Sequence, residues 1–182
     1  DRQCGSSMQT NFNAAAAVMA GPLDLVVSAG VEMMSRVPMG SNGGSISDRV
    51  TERHEIVMQG TSAELLAEEW KLSRESLDAY SLESHRRALA ASDEGKFERE
   101  IVPIELPAAP VFAIDEAPRR ETSAEALAAL KPAFRPDGVI TAGNSSQIVD
   151  GAAAVLIASE AAVERLGLEP RGRFVAFCIA GV

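Results

Sequence analysis

The strongest constraint on the fold lies at the front of the chain. From Ser6 to Ala20, small residues and good helix formers run without a break, Ala14-Ala15-Ala16-Ala17 among them, until Gly21-Pro22. That run predicts a helix, and the Gly-Pro pair stops it. Beyond it, Leu23-Asp24-Leu25-Val26-Val27-Ser28-Ala29-Gly30 is short and mostly apolar, as a strand should be. Helix, tight break and apolar strand make the second half of a β-α-β unit, which places the chain in the α/β class. The first strand of such a unit is not in the sequence, so further chain is expected ahead of Asp1. Cys4 falls at or just before the first helical turn. Unpaired amides and the positive end of the helix dipole favour an anion there. The thiolate is the nucleophilic form of cysteine. Placement alone leaves Cys4 open between a nucleophile and a small apolar residue packed in a core.

The rest of the chain reads as a second, mixed region and a return to apolar strand. Residues 38 to 57, with Gly40-Ser41-Asn42-Gly43-Gly44-Ser45, are loop by composition. Thr61-Ser62-Ala63-Glu64 has capping-box spacing and is expected to open a helix through Trp70. Ser73 caps a longer helix to Asp93, with Gly95 as its stop. Leu77, Tyr80, Ser84, Ala88 and Ala91 share one side of it, leaving Glu83, Arg86 and Arg87 to solvent. Ile101 to Leu106 alternates like an edge strand, since Pro103 bars it from the middle of a sheet. After a proline-rich connector, Thr122-Ser123-Ala124-Glu125 opens a short helix to Leu130. Ala152 to Ala158 is apolar on both faces, which predicts a central strand buried between helices. Ser159 then caps a helix ending at Gly167, and Arg173 to Ile179 is expected to begin a new strand.

Composition narrows the function classes. With 46% hydrophobic residues among 182, the chain can build a core. A formal net charge of −9 argues against nucleic acid as a partner but leaves room for a local basic site that takes an anion. Cys4 and Cys178 stand at opposite ends, so no disulfide framework is implied and a reducing compartment fits. His54, His85 and the two cysteines have no ligand spacing, so no metal site is expected. No apolar run is long enough to span a bilayer, and no leader opens the chain, so a cytoplasmic protein is expected.

Three blocks carry a family resemblance. Arg2-Gln3-Cys4-Gly5-Ser6-Ser7-Met8-Gln9 resembles the nucleophile segment of the thiolases, which join or split acyl chains on coenzyme A. The segment Ser28-Ala29-Gly30-Val31-Glu32-Met33-Met34-Ser35-Arg36-Val37-Pro38-Met39 is similar to the one that follows it in that family. So is Lys131-Pro132-Ala133-Phe134 followed by Thr141-Ala142-Gly143-Asn144-Ser145-Ser146-Gln147-Ile148-Val149-Asp150-Gly151. The blocks occur in one order with compatible spacing and cover essentially the whole chain.

The resemblance implies an α/β, thiolase-like layered αβαβα fold, only partly represented. Residues 1–38 would be the N-terminal half with the nucleophile helix and its strand. Residues 39–146 would be an inserted loop domain that binds coenzyme A, 147–168 the return to the N-terminal half, and 169–182 the start of the C-terminal half. It assigns Cys4 as the acylated residue in a ping-pong acyl transfer, its own N–H helping to hold the oxyanion. It assigns Arg119, with Arg120 beside it, to the nucleotide end of coenzyme A, and Ala142 and Ser146 to the tunnel for its pantetheine arm. Met58-Gln59-Gly60 stands where biosynthetic members often carry His-Met-Gly, so Met58 and Gln59 are counted with the coenzyme A-binding residues, and Met58 in place of histidine leans toward the degradative, broader-chain kind. Coenzyme A and acyl-CoA are implied as substrates with no permanently bound cofactor, and a homodimer or homotetramer as the full-length assembly.

Family members also use a histidine in Gly-His-Pro, a second cysteine in a glycine-rich segment and an asparagine in Asn-Glu-Ala-Phe, and this sequence holds none of the three. Cys178 reads as a buried strand residue, and His54 and His85 as solvated or packed. Met33, Met34 and Met39 either line an apolar acyl site or fill space. A non-catalytic coenzyme A-binding scaffold is the alternative. A cysteine hydrolase is weaker, since no histidine is suitably placed.

Overall fold

The computed structural model describes residues 2–41 and 43–179. In chain order the elements are a 3-10 turn (Gln3–Gly5), α1 (Ser6–Met19), β1 (Leu25–Glu32), α2 (Asp48–Thr51), α3 (Gln59–Glu69), α4 (Arg74–Asp93), α5 (Ala124–Ala128), a second 3-10 turn (Ala142–Asn144), β2 (Gly151–Ala158) and α6 (Glu160–Leu166). They fall into two compact units, Asp1–Asn42 with Val149–Val182, and Gly43–Ile148.

In the first unit β1 and β2 pair antiparallel from Leu25↔Ala158 to Glu32↔Gly151. The pleat gives β1 two faces. Val26, Ser28 and Gly30 point toward α1, while Leu25, Val27, Ala29 and Val31 are exposed. Small residues let the helix come close. A Cβ on Gly30 would sit 1.9 Å from Ser7 Oγ, and Thr10 Oγ1 lies 2.7 Å from Ser28 Oγ. Ala14, Ala15 and Ile157 form the buried core, with Val18, Val26 and Phe174 against it. α1 ends where expected, with Gly21 at φ +93°. Ser159 caps α6 by accepting from Ala162 N–H, and Gly167 closes it at φ 61°, both as the sequence predicts.

Two expectations for this unit do not hold. β2 is not buried on both faces: Ile157 is buried, but Val155 is 46% and Leu156 51% exposed. Among the described residues α1 packs on one face of the two-stranded sheet, covering β1 more than β2, and leaves the other face bare. Residues 173–179 form no ladder, so Cys178 is exposed rather than buried. This stretch is held by its aromatic side chains instead, Phe177 packing at a tilt against Phe12 (ring centroids 5.2 Å) and near Phe174 (5.8 Å).

In the second unit α4 follows the expected bounds, with Ser73 Oγ accepting from Ser76 N–H and Gly95 at φ +69°. Its inner face differs. Tyr80 is 79% exposed and Ser84 is exposed, whereas Asp78 is buried and Arg74 half-buried. Arg74 reaches the carbonyls of Leu127 in the last turn of α5 and of Leu130 just beyond it, and its Nε pairs with Asp78 at 2.7 Å. Hydrophobic periodicity misreads a helix whose packed side is an ion pair.

α3 begins at Gln59 with Met58 as N-cap, so Thr61 lies inside the helix and caps nothing. Its supposed partner Glu64 is buried and accepts from Val139 and Ile140 N–H, both at 3.0 Å. Ser123, not Thr122, caps α5 through Ala126 N–H. The expected strand 101–106 shrinks to one bridge, Ile104↔Phe112. Among the described residues, the loop from 38 to 57 carries one short helix, α2.

Candidate functional site

Cys4 lies in the 3-10 turn directly ahead of α1 and is exposed. The turn is closed by Gly5 N–H to Arg2 carbonyl at 2.7 Å. Gly5, the N-cap, supplies no side-chain acceptor, and the first turn of α1 holds no acidic residue. The amide end of a fourteen-residue helix therefore keeps its positive character beside the thiol. Chemically, this places an accessible sulfur where developing negative charge is stabilised.

β1 leads away from α1 into a second fixed point. The turn after it is pinned by Asp150, which accepts from Ser35 N–H at 2.9 Å and from the Ser35 hydroxyl. The Ser35 hydroxyl, with help from the Ser35 and Met34 amides, holds the Asp150 carboxyl below its usual range. The methionines here are not core filler: Met33 is 47% and Met39 62% exposed.

The remaining candidates all lie in the second unit, on three tied segments. Ala142 and Ser146 are exposed on a turn whose interior is fully bonded. Thr141 is wholly buried; its hydroxyl accepts from Gly143 N–H at 3.1 Å and its N–H donates to Asn144 Oδ1 at 2.8 Å. Asn144 Nδ2 donates onward to Asp78 and to Val139 carbonyl, both at 3.0 Å, joining the turn to the Arg74–Asp78 pair. Neutral and charged groups satisfy one another, which makes the turn stiff.

Arg119 sits on the stretch before α5, and that stretch is held at three points. Gln147 Nε2 donates to Ala117 carbonyl at 2.6 Å, bringing it beside the Ser146 segment. His85 Nδ1 accepts from Arg119 N–H at 3.1 Å. Arg120 pairs with both Asp93 oxygens. That pairing lowers Asp93 and raises Arg120 from their ordinary values. The expected extra charge from Arg120 is thus neutralised within the chain. The exposed Arg119 guanidinium has no carboxylate partner among the described residues.

Met58, 78% exposed, and Gln59 open α3. They are tied in by Gly60, where a Cβ would come 2.1 Å from the Phe134 ring. Phe134 belongs to the hairpin bridged at Pro132↔Thr141, so α3's start and the Ala142 turn share a support. Cys4 belongs to the first unit and these five residues to the second.

Sequence reasoning missed the supports: Arg74, Asp78, His85, Asn144 and Gln147. A signal existed for two of them, since Arg74 and Asp78 have the i,i+4 spacing of a helix ion pair. His54 is exposed, as read; His85 is half-buried and engaged with Arg119.

Residues 1–161 match the family model for the thiolase N-terminal domain. The chain belongs to the thiolase family. It is 44% identical over 95% of its length to the steroid 3-ketoacyl-CoA thiolase FadA6 of Mycobacterium tuberculosis, covering 45% of that protein. It is 38% identical over its full length to an acetyl-CoA acetyltransferase of Allochromatium vinosum, covering 51% of it. Among solved structures, the dimeric peroxisomal thiolase of Saccharomyces cerevisiae superposes with a TM-score of 0.82 at 34% identity, over 92% of this chain and 44% of that one. The chain thus has part of the α/β thiolase fold and spans about half the length of the relatives it matches. No helix among the described residues is long and apolar enough to cross a membrane.

Proposed function

We propose that this chain supplies the nucleophile and the coenzyme A-binding segments of an acyl-CoA C-acyltransferase that forms or cleaves 3-ketoacyl-CoA. The observation that carries this is the exposed Cys4 at the uncapped amide end of α1, in the family's nucleophile segment. In the cleavage direction the Cys4 thiolate adds to the β-keto carbon, its own N–H among the donors to the oxyanion. The Cα–Cβ bond breaks, its electron pair leaves on the α carbon of acetyl-CoA, and that carbon takes a proton. The thiolate of a second coenzyme A then takes the acyl group from sulfur and regenerates Cys4, which is ping-pong catalysis. Met58 in place of histidine supports the degradative type.

Residues 39–146 act as the coenzyme A domain, inserted between residues 1–38 and 147–168 of the N-terminal half, with 169–182 opening the C-terminal half. Arg119 takes the nucleotide end, Ala142 and Ser146 line the pantetheine path, and Met58 and Gln59 border the acyl end. An arginine without an internal carboxylate partner suits a phosphate. The full-length protein is a cytoplasmic homodimer or homotetramer.

Acyl-CoA incubated with the full-length parent should leave an acyl adduct on Cys4 by peptide mass spectrometry; an adduct elsewhere would overturn the assignment. The 182-residue chain alone should turn over at least about 10²–10⁴-fold more slowly, because no Gly-His-Pro histidine serves as base. The same absence favours a second reading, a coenzyme A-binding scaffold completed by another chain. Calorimetric titration of the chain with coenzyme A separates the two: binding without any Cys4 acylation in the parent supports the scaffold. Robust thiolysis by the isolated chain would refute it.

A further inference from the structure

We propose that His85 is a positioning residue for Arg119, acting through the backbone. The inference rests on the coenzyme A reading of Arg119 given above. Its ground is geometric: Nδ1 of His85 accepts the Arg119 N–H at 3.1 Å, across thirty-four positions of sequence. An accepting Nδ1 offers its ring lone pair to that N–H.

The placement of this bond gives it its weight. The stretch 117–120 has no regular ladder of its own, and its backbone is fixed from outside. Gln147 holds it at Ala117 and the Asp93 carboxylate holds the Arg120 side chain. His85 holds the residue whose guanidinium is left without a carboxylate. Without it, the stretch between Ala117 and Arg120 keeps its ends and loses its middle. Arg119 would then pay more conformational entropy on closing onto an anion.

Two measurements on the whole 182-residue chain decide it. In the first, hydrogen exchange of the Arg119 amide is followed by 15N–1H NMR at pH 8 without ligand. Exchange should be faster in His85→Ala and return toward wild type in His85→Asn, whose Oδ1 can take the acceptor position. In the second, coenzyme A is titrated calorimetrically into wild type, His85→Ala, His85→Asn and Arg119→Ala at pH 8. His85→Ala should weaken binding several-fold, in the direction of Arg119→Ala, and His85→Asn should restore it. Unchanged Arg119 amide exchange in His85→Ala, or His85→Ala binding as well as wild type while Arg119→Ala binds poorly, overturns the positioning role and leaves the coenzyme A reading standing. Equal binding by wild type and Arg119→Ala overturns the coenzyme A reading of Arg119, and this proposal with it.

Discussion

Glu64 shows how one carboxylate can organise a loop at residue scale. It is 4% exposed and accepts from two successive amides, Val139 and Ile140, while the absent side chain of Gly138 leaves it room: a Cβ there would lie 2.1 Å from Oε1. Glu64→Ala leaves both amides buried without acceptors, so we expect a loss of about 3 kcal/mol, read as a lower denaturant midpoint. Gly138→Ala should destabilise by forcing the carboxylate aside, and an unchanged midpoint in both variants would show that the pair carries no weight. The sequence offered Glu64 in a different role, as the far end of a capping box with Thr61. The spacing was right, but spacing cannot report that a hairpin seventy-five residues on presents two amides to the same side chain. Cys4 was legible for the opposite reason. Its position depends only on where the adjacent helix starts, and the run to Gly21 fixes that locally.

At the scale of elements, the helix limits were readable and their faces were not. Ser73, Ser123 and Ser159 cap α4, α5 and α6 with a side-chain oxygen, a local device worth about 1 kcal/mol each. The packed side of α4, by contrast, is set by Arg74 and Asp78 reaching partners fifty to seventy residues away. Asn144→Ala should therefore loosen the turn bearing Ala142 and Ser146 without unfolding α4, and faster amide exchange confined to 139–146 is the expected readout. The turn after β1 has a pH signature. Asp150 has a lowered carboxyl pKa because Ser35 donates to it through hydroxyl and amide. A depressed carboxylate contributes stability above its unfolded pKa, which is lost as pH falls through the folded value. Ser35 amide protection should accordingly be constant at neutral pH and fall only below about pH 4. Asp150→Asn should show reduced protection at every pH, and protection that ignores both pH and substitution would remove Asp150 from this role.

At the scale of the molecule, the sheet of the first unit is half dressed. β1 alternates cleanly, and the face away from α1 sets Val27 beside Leu156 and Val31 beside Ala152, with Val27 65%, Val31 76% and Leu156 51% exposed. Central-strand composition had predicted burial on both faces, and the residues are suited to it; the covering layer is what the described chain does not provide. An apolar sheet face of this kind attracts hydrophobic dyes and other copies of itself. The 182-residue chain should therefore bind anilinonaphthalene sulfonate while folded and scatter more light as its concentration rises. Replacing Val27 and Leu156 together by threonine keeps strand propensity on an exposed face, so it should reduce both signals without lowering the unfolding midpoint much. The full-length parent, in which the relatives' remaining half is available to cover this face, should show little of either. Equal dye binding by chain and parent would mean that the face stays open in the complete protein, and the layered arrangement inferred from the family would then fail at this sheet.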